Sequence, residues 1–187
     1  ICISQIFWGP LSDLIGRRIV LIIGASLFSL GGILSALNLA FEVFVFFRFV
    51  QGIGAAACLS MPRVMLTESY GVKKAAAKMS TLLAFMAIFP ILSAAFGGYI
   101  GENYGWQINF FTLFLFGGIV FSLNYIYTPE TIKNKNKRLT FRATFLDFRY
   151  LFGQISFLYF AGVSSIQAAF FFSLASFMPY QFERLGA

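Results

Sequence analysis

Arg48, Gln51 and Gly52, followed by Ala55, Ala56 and Arg63, form a polar and small-residue stripe at helical spacing within an otherwise apolar run, Val43 to Leu66. Phe46, Phe49, Val50 and Ile53 fall on the opposite side, which is expected to meet lipid. A guanidinium inside a membrane span is unfavourable by several kcal/mol, which marks Arg48 as a functional candidate, with Gln51 and Gly52 on the same face, expected to meet other helices or a water-filled cavity. Snorkelling towards the outer interface is the alternative, because Arg48 lies only about two turns from Glu42.

A second cluster, GPLSDLIGRR, places Gly9, Asp13, Gly16, Arg17 and Arg18 in one knot between two apolar segments. Gly9 and Pro10 are suited to ending a helix, Asp13 to capping a helix or holding an arginine, and Gly16 to a tight turn. Arg63 and Glu68 stand at the cytoplasmic edge of their span.

The elements that must position these groups are membrane helices. The 187 residues are 59% hydrophobic, 19% aromatic and only 11% charged, with a mean hydropathy of +0.80. A water-soluble domain of this size could not hide that much apolar surface. Five stretches are long enough to cross a bilayer: 19–38, 43–66, 80–100, 108–128 and 155–180. Between them the sequence predicts a polar turn at 39–42, a basic loop SYGVKKAAAKM, a small loop GENYGWQ and a basic segment, 129–154. The opening residues, ICISQIFWGP, read as the tail of another helix. Pro62 and Pro90 are candidate bends. Pairs such as Ala25 and Ser29, Gly32 and Ala36, and Ala94 and Gly98 have close-packing spacing, and Gly162, Ser165, Ala169, Ser173 and Ser176 make a similar seam.

Of the 14 lysines and arginines, Arg48 and Arg63 lie within a span and Arg184 lies on one side; all the others fall in loops on the opposite side. That asymmetry places the GPLSDLIGRR loop in the cytoplasm and residues 181–187 outside. It also accounts for the net charge of +7 as a topology signal, so no nucleic-acid partner is expected. Phe141, Phe145, Phe148 and Phe152 recur at helical spacing and predict a helix lying on the inner membrane surface, with an early start to the next span as the alternative.

Enzyme chemistry finds no support. The chain has no histidine, no HExxH, GxSxG or Walker A pattern, and Cys2 and Cys58 are far apart without a CxxC, so neither a cofactor nor a metal site is expected. No Asp or Glu lies in the middle of a span, so a proton relay built on a midplane carboxylate needs a residue outside this chain. An acid partner for Arg48 is expected on a helix outside this chain, and Glu68 and Asp13 are candidates only at the cytoplasmic edge.

The motif GPLSDLIGRRIVL resembles the loop signature that the major facilitator superfamily carries between its second and third transmembrane helices. Gly9, Asp13, Gly16, Arg17 and Arg18 fall on its key positions. One span later, RFVQGIGAA resembles the superfamily's fourth-helix motif, with Arg48, Gln51, Gly52 and Ala56 in place. The following run, to QINFF, is similar to the drug:proton antiporter branch and its bicyclomycin-resistance-like exporters. Gly97, Gly98 and Trp106 match that pattern, whereas Ser93 and Ala94 stand where Gly or Ala and Pro are usual. PET, at 129–131, fits the exit of the sixth helix.

The resemblance implies an all-α, partial major facilitator bundle: residues 1–128 from the end of helix 2 to helix 6, 129–154 a cytoplasmic linker, and 155–187 the first helix of the second half. It further implies a multi-pass protein of the cell (inner) membrane, a segment of a proton-coupled multidrug exporter working by alternating access. Its expected partners are the lipid bilayer, a drug-like small molecule, protons and the remaining helices of a full-length transporter. Arg17, Arg18 and Asp13 would then form a cytoplasmic gate latch whose partner lies in the half mostly absent from this chain. A truncated, non-transporting membrane scaffold and a solute importer of the same superfamily are the alternatives.

Overall fold

The structure, a computed structural model, describes residues 2–37, 40–132, 150 and 152–185. All the regular elements among them are helices. The chain divides into two compact units, Ile1–Leu139 and Thr140–Ala187.

In the first unit, α1 (Cys2–Ile15) is followed by α2 (Arg17–Ala36). A long helical run, Phe41–Tyr104, is broken at Gly71 (φ 70°, ψ 161°), which separates α3 (Phe41–Gly71) from α4 (Lys73–Tyr104). Gly105 (φ 88°) then leads into α5 (Trp106–Tyr127). Four of these, α2 to α5, are long and apolar enough to cross a membrane.

Three boundaries depart from the sequence reading. Gly9 and Pro10 do not end a helix: α1 runs through both and stops at Ile15, where Gly16 takes φ 112°. Pro10 lies inside α1, where its missing N–H leaves one helical hydrogen bond unmade. The basic loop around Lys73, Lys74 and Lys78 is the first turns of α4 instead, because KKAAAKM is built from strong helix formers and the single glycine before it suffices for the reversal. Likewise GENYGWQ shrinks to Gly105, with α4 continuing to Tyr104. The helix expected over Phe141 to Phe148 falls outside the described residues.

Helix α2 is the centre of the unit, clasped between α3 and α5. Lipid tails are as apolar as leucine, so helix association here depends on close packing and hydrogen bonds rather than on escape from water. The sequence supplies both. Gly24, Ala25, Ser29, Gly31, Gly32 and Ser35 of α2 are buried. A Cβ at Gly54 of α3 would sit 2.5 Å from the Gly24 carbonyl oxygen and 2.5 Å from the Phe28 nitrogen. On the other flank, a Cβ at Gly117 of α5 would come 2.8 Å from the Ser29 Cβ, and Ser29 Oγ donates to the Phe114 carbonyl at 3.0 Å. Trp8, Val20, Leu21, Ala56, Ala57, Met61 and Met65 form the buried cluster joining α1, α2 and α3, and the Trp8 indole N–H donates to the Ile53 carbonyl at 2.9 Å.

The small-residue seams separate into two groups. Ala25 and Ser29 are buried. Ala94 and Gly98 are exposed among the described residues, and nothing approaches within 4 Å of a Cβ built at Gly97 or Gly98. Helix α4 presents Leu83, Phe85, Phe89 and Phe96 outward, as a lipid-facing helix does. The helices continue through Pro62 and Pro90.

The second unit contains α6 (Ile155–Leu185), whose first half, Ile155–Phe170, is an apolar stretch. Gly162 of its predicted seam has open space around it.

Candidate functional site

The chemistry-bearing residues gather at the two ends of the clasped helices. At one end Gly16 breaks the chain between α1 and α2, and this break delivers Arg17 into a buried position, 8% exposed. A buried guanidinium must be both paired and hydrogen-bonded. Arg17 satisfies this with two neighbouring helices at once. Its Nη2 pairs with Asp13, one turn back on α1, and with Glu68 Oε1 of α3 at 3.0 Å. Nε donates to the same Glu68 oxygen at 3.2 Å, while Nη1 donates to Ser12 Oγ and, at 3.5 Å, to the Gly9 carbonyl. Of the two roles open to Asp13, holding an arginine is the one adopted.

Glu130, just beyond α5, completes the node from the other side. Its Oε1 accepts the Arg17 backbone N–H at 2.9 Å, and those of Thr131 at 3.1 Å and Ile132 at 3.4 Å. The first residues of α2 lack intrahelical partners for their N–H groups, and Gly16 has no side chain to cap them. Glu130 therefore acts as an N-cap supplied from a distant part of the chain, with a negative charge at the positive end of the helix dipole. Thr131 Oγ1 donates to Glu68 Oε2 at 2.6 Å, so the second oxygen of Glu68 is tied to the same strap. The reverse contact also exists: Arg18 Nη2 donates to the Tyr125 carbonyl at 2.6 Å, near the C-terminal end of α5. Helices α2 and α5 thus cap one another.

This geometry explains Gly16 twice over. Its φ of 112° is disfavoured for residues with a Cβ, and a Cβ there would lie 2.2 Å from Glu130 Oε2. Removing the strap has a measurable cost: Glu130→Ala should destabilise the protein by about 1–2 kcal/mol, the range of a lost N-cap, read as a lower melting temperature in mild detergent. An unchanged melting temperature would show that α2 does not depend on this cap.

Sequence reasoning placed the partner of the latch in the half mostly absent from this chain. Within the described residues, the partners of Arg17 and Arg18 are Asp13, Ser12, Glu68, Glu130 and the Tyr125 carbonyl. Glu130 and Thr131 were visible only as a tripeptide after an apolar span; no spacing rule connects them with a loop more than a hundred residues earlier.

Towards the other end of the clasp, Arg48 is exposed within the described residues, and its Nη1 donates to Gln51 Oε1 at 2.6 Å. Its guanidinium lies 5.0 Å from the centroid of the Phe110 ring on α5. Asp13 and Glu68, named as edge partners for Arg48, are engaged with Arg17 instead. Gln51 is buried, 3% exposed, whereas Gly52 and Ala55 are half-buried. The expected division of α3 into two faces is shifted: Ile53, assigned to the lipid side, packs against the core. The reason is that α1 and α2 flank α3 on neighbouring sides, so its buried stripe runs Gln51, Gly54, Ala57, Met61, Met65. Arg63 is exposed and contacts Met86 of α4 through sulfur, at 3.7 Å. Among the described residues, no group of three or more His, Cys, Asp or Glu is placed to hold a metal ion.

The sequence profile of the Major Facilitator Superfamily matches residues 1–186. Among curated proteins, the chain is similar to the Bicyclomycin resistance protein homolog of Haemophilus influenzae, 30% identical over 139 residues, or 72% of this chain and 34% of the relative. It is also similar to the Multidrug resistance protein MdtL of Shewanella oneidensis, 30% identical over 128 residues (68% and 32%). The Multidrug resistance protein MdtM of Escherichia coli K12 is 29% identical over 158 residues (84% and 38%). The chain spans about a third of the length of these relatives.

Proposed function

The chain belongs to the major facilitator superfamily, and from that premise we propose that it is a segment of a proton-coupled multidrug exporter of the bacterial inner membrane, working by alternating access. The family and the apolar helices make it an all-α, multi-pass membrane chain. What carries the export reading is the similarity over most of the chain to relatives named for bicyclomycin and multidrug resistance. The geometry supports it: a charged node that ties α1, α2, α3 and α5 at one end lets these helices move as a unit, as rocking about a central site requires.

In this reading the drug-like substrate and the protons are handled by the assembled transporter, with helices beyond this chain closing the cavity. Arg48 and Gln51 support the coupling surface. Asp13, with Arg17 and Arg18, latches the cytoplasmic face and meets the second half there. A membrane scaffold would need none of this to be state-dependent, and an importer would run the same cycle in the opposite direction.

The test is transport by the full-length protein that contains this chain, expressed in drug-sensitive bacteria and reconstituted in liposomes. Outward drug movement that collapses with the proton gradient is expected, and Asp13→Lys should abolish it while leaving membrane insertion intact. Absence of drug movement, or uptake of a solute in place of export, would overturn the proposal.

A further inference from the structure

The positive charge of Arg48 lies in a membrane span, and among the described residues no carboxylate pairs with it. An unpaired guanidinium at that depth is unfavourable and tends to snorkel. Here it is contacted by two groups on different helices. One is the amide of Gln51, 2.6 Å away. Gln51 packs closely on α2: a Cβ at Gly31 would lie 2.7 Å from the Gln51 Cβ, and one at Gly32 would lie 3.3 Å from its Nε2.

The other is the face of Phe110. A ring face carries negative quadrupole density, and a guanidinium within about 6 Å of the centroid is attracted to it; the observed separation is 5.0 Å. The ring itself is locked. Phe110 meets Phe44 edge-on at 5.6 Å and 89° and Trp106 at 5.8 Å and 83°, and these two meet each other at 6.1 Å and 86°. Three mutually perpendicular rings fix one another's orientation. Phe44 comes from α3 and the other two from α5, so the cluster also fastens these helices at the end opposite the Arg17 node.

We infer that Phe110 is a positioning residue for Arg48: its ring face meets the guanidinium and holds it against α5. Gln51 accepts the hydrogen bond and the Phe110 ring faces the charge. The transport consequence rests on the exporter reading above, whereas the contact itself does not.

Two measurements on the full-length protein separate these. With ¹⁵N- and ¹³C-labelled arginine, the Arg48 side-chain resonances, assigned by their loss in Arg48→Lys, should show the ring-current displacement of a group above an aromatic face. Phe110→Leu should remove that displacement and Phe110→Tyr should retain it. In proton-driven efflux, Phe110→Leu should lose roughly three- to tenfold in rate, and Phe110→Tyr should stay within about twofold of the parent, in line with the strength of a partly desolvated cation–π contact. Should the leucine variant fail to fold, progressively fluorinated phenylalanine at position 110 keeps the shape while cancelling the quadrupole, and both signals should then decline in graded fashion. Arg48 resonances that are unmoved by Phe110→Leu or by fluorination would overturn the inference, as would efflux that follows ring size and ignores ring charge. If the parent protein moves no drug, the exporter reading fails and the resonances alone decide the contact.

Discussion

Gly54→Val should unfasten α2 from α3 and destabilise the protein by about 3 kcal/mol, the upper end of the range for overpacking. The Cβ position at Gly54 is 2.5 Å from the Gly24 carbonyl oxygen, 2.5 Å from the Phe28 nitrogen and 3.0 Å from the Leu27 carbonyl carbon. All three are backbone atoms of α2. A flexible side chain could rotate away, but a helix backbone cannot, so the two helices would have to separate. Separation would in turn open the gap around Gly24, whose own Cβ position lies 2.5 Å from the Ala57 Cβ. The effect should appear as a lower melting temperature and reduced membrane abundance. Gly118→Val is the control: nothing lies within 4 Å of that Cβ position, so it should be tolerated. Equal stability of the two variants would refute the close crossing.

Arg17→Met should cost about 3 kcal/mol, the lower end of the range for removing one partner from a buried ion pair. Methionine retains much of the apolar stem but leaves the carboxylates of Asp13 and Glu68 facing each other without a cation. Their side chains are 40% and 30% exposed, so water relieves part of the penalty, which is why the lower end applies. Arg17→Lys should recover only part of the loss, since one ammonium cannot reproduce the fork that serves Ser12, Asp13 and Glu68 together. The readout is thermal unfolding in detergent for both variants. A methionine variant as stable as the parent would mean that the node is not a structural clasp.

Much of this was legible in the linear chain. Apolar runs of bilayer length identify the spans because every backbone polar group must be satisfied within the helix once water is gone. Small residues on α2 mark its contact faces for the same reason that Gly24 and Gly54 meet: without a hydrophobic drive between helices, close approach is what holds them. Loop lengths were less legible. A single residue of positive φ, Gly71 or Gly105, reverses the chain, and the polar residues around it, which look like loop, still form helix. The buried face of α3 was misjudged at Ile53 because periodicity reports one stripe, while a helix flanked on two sides buries a wider one.

For the motif residues the division is similar. Local spacing is enough to bring Asp13 to Arg17 and Arg48 to Gln51, because residues three and four apart share a helix face. Nothing local could join Arg17 to Glu68, Glu130 to the first turn of α2, or Phe110 to Arg48, since these contacts bridge separate helices. They depend on how closely the helices approach and on which side each helix turns. The small residues permit that approach, and the full set of neighbours selects it. Residue order therefore settles the membrane class, the apolar runs and the pairs within a helix, through hydropathy and period. The node and the ring clamp arise only on packing, when buried charges, unmet N–H groups and ring faces take the partners that adjoining helices bring within reach.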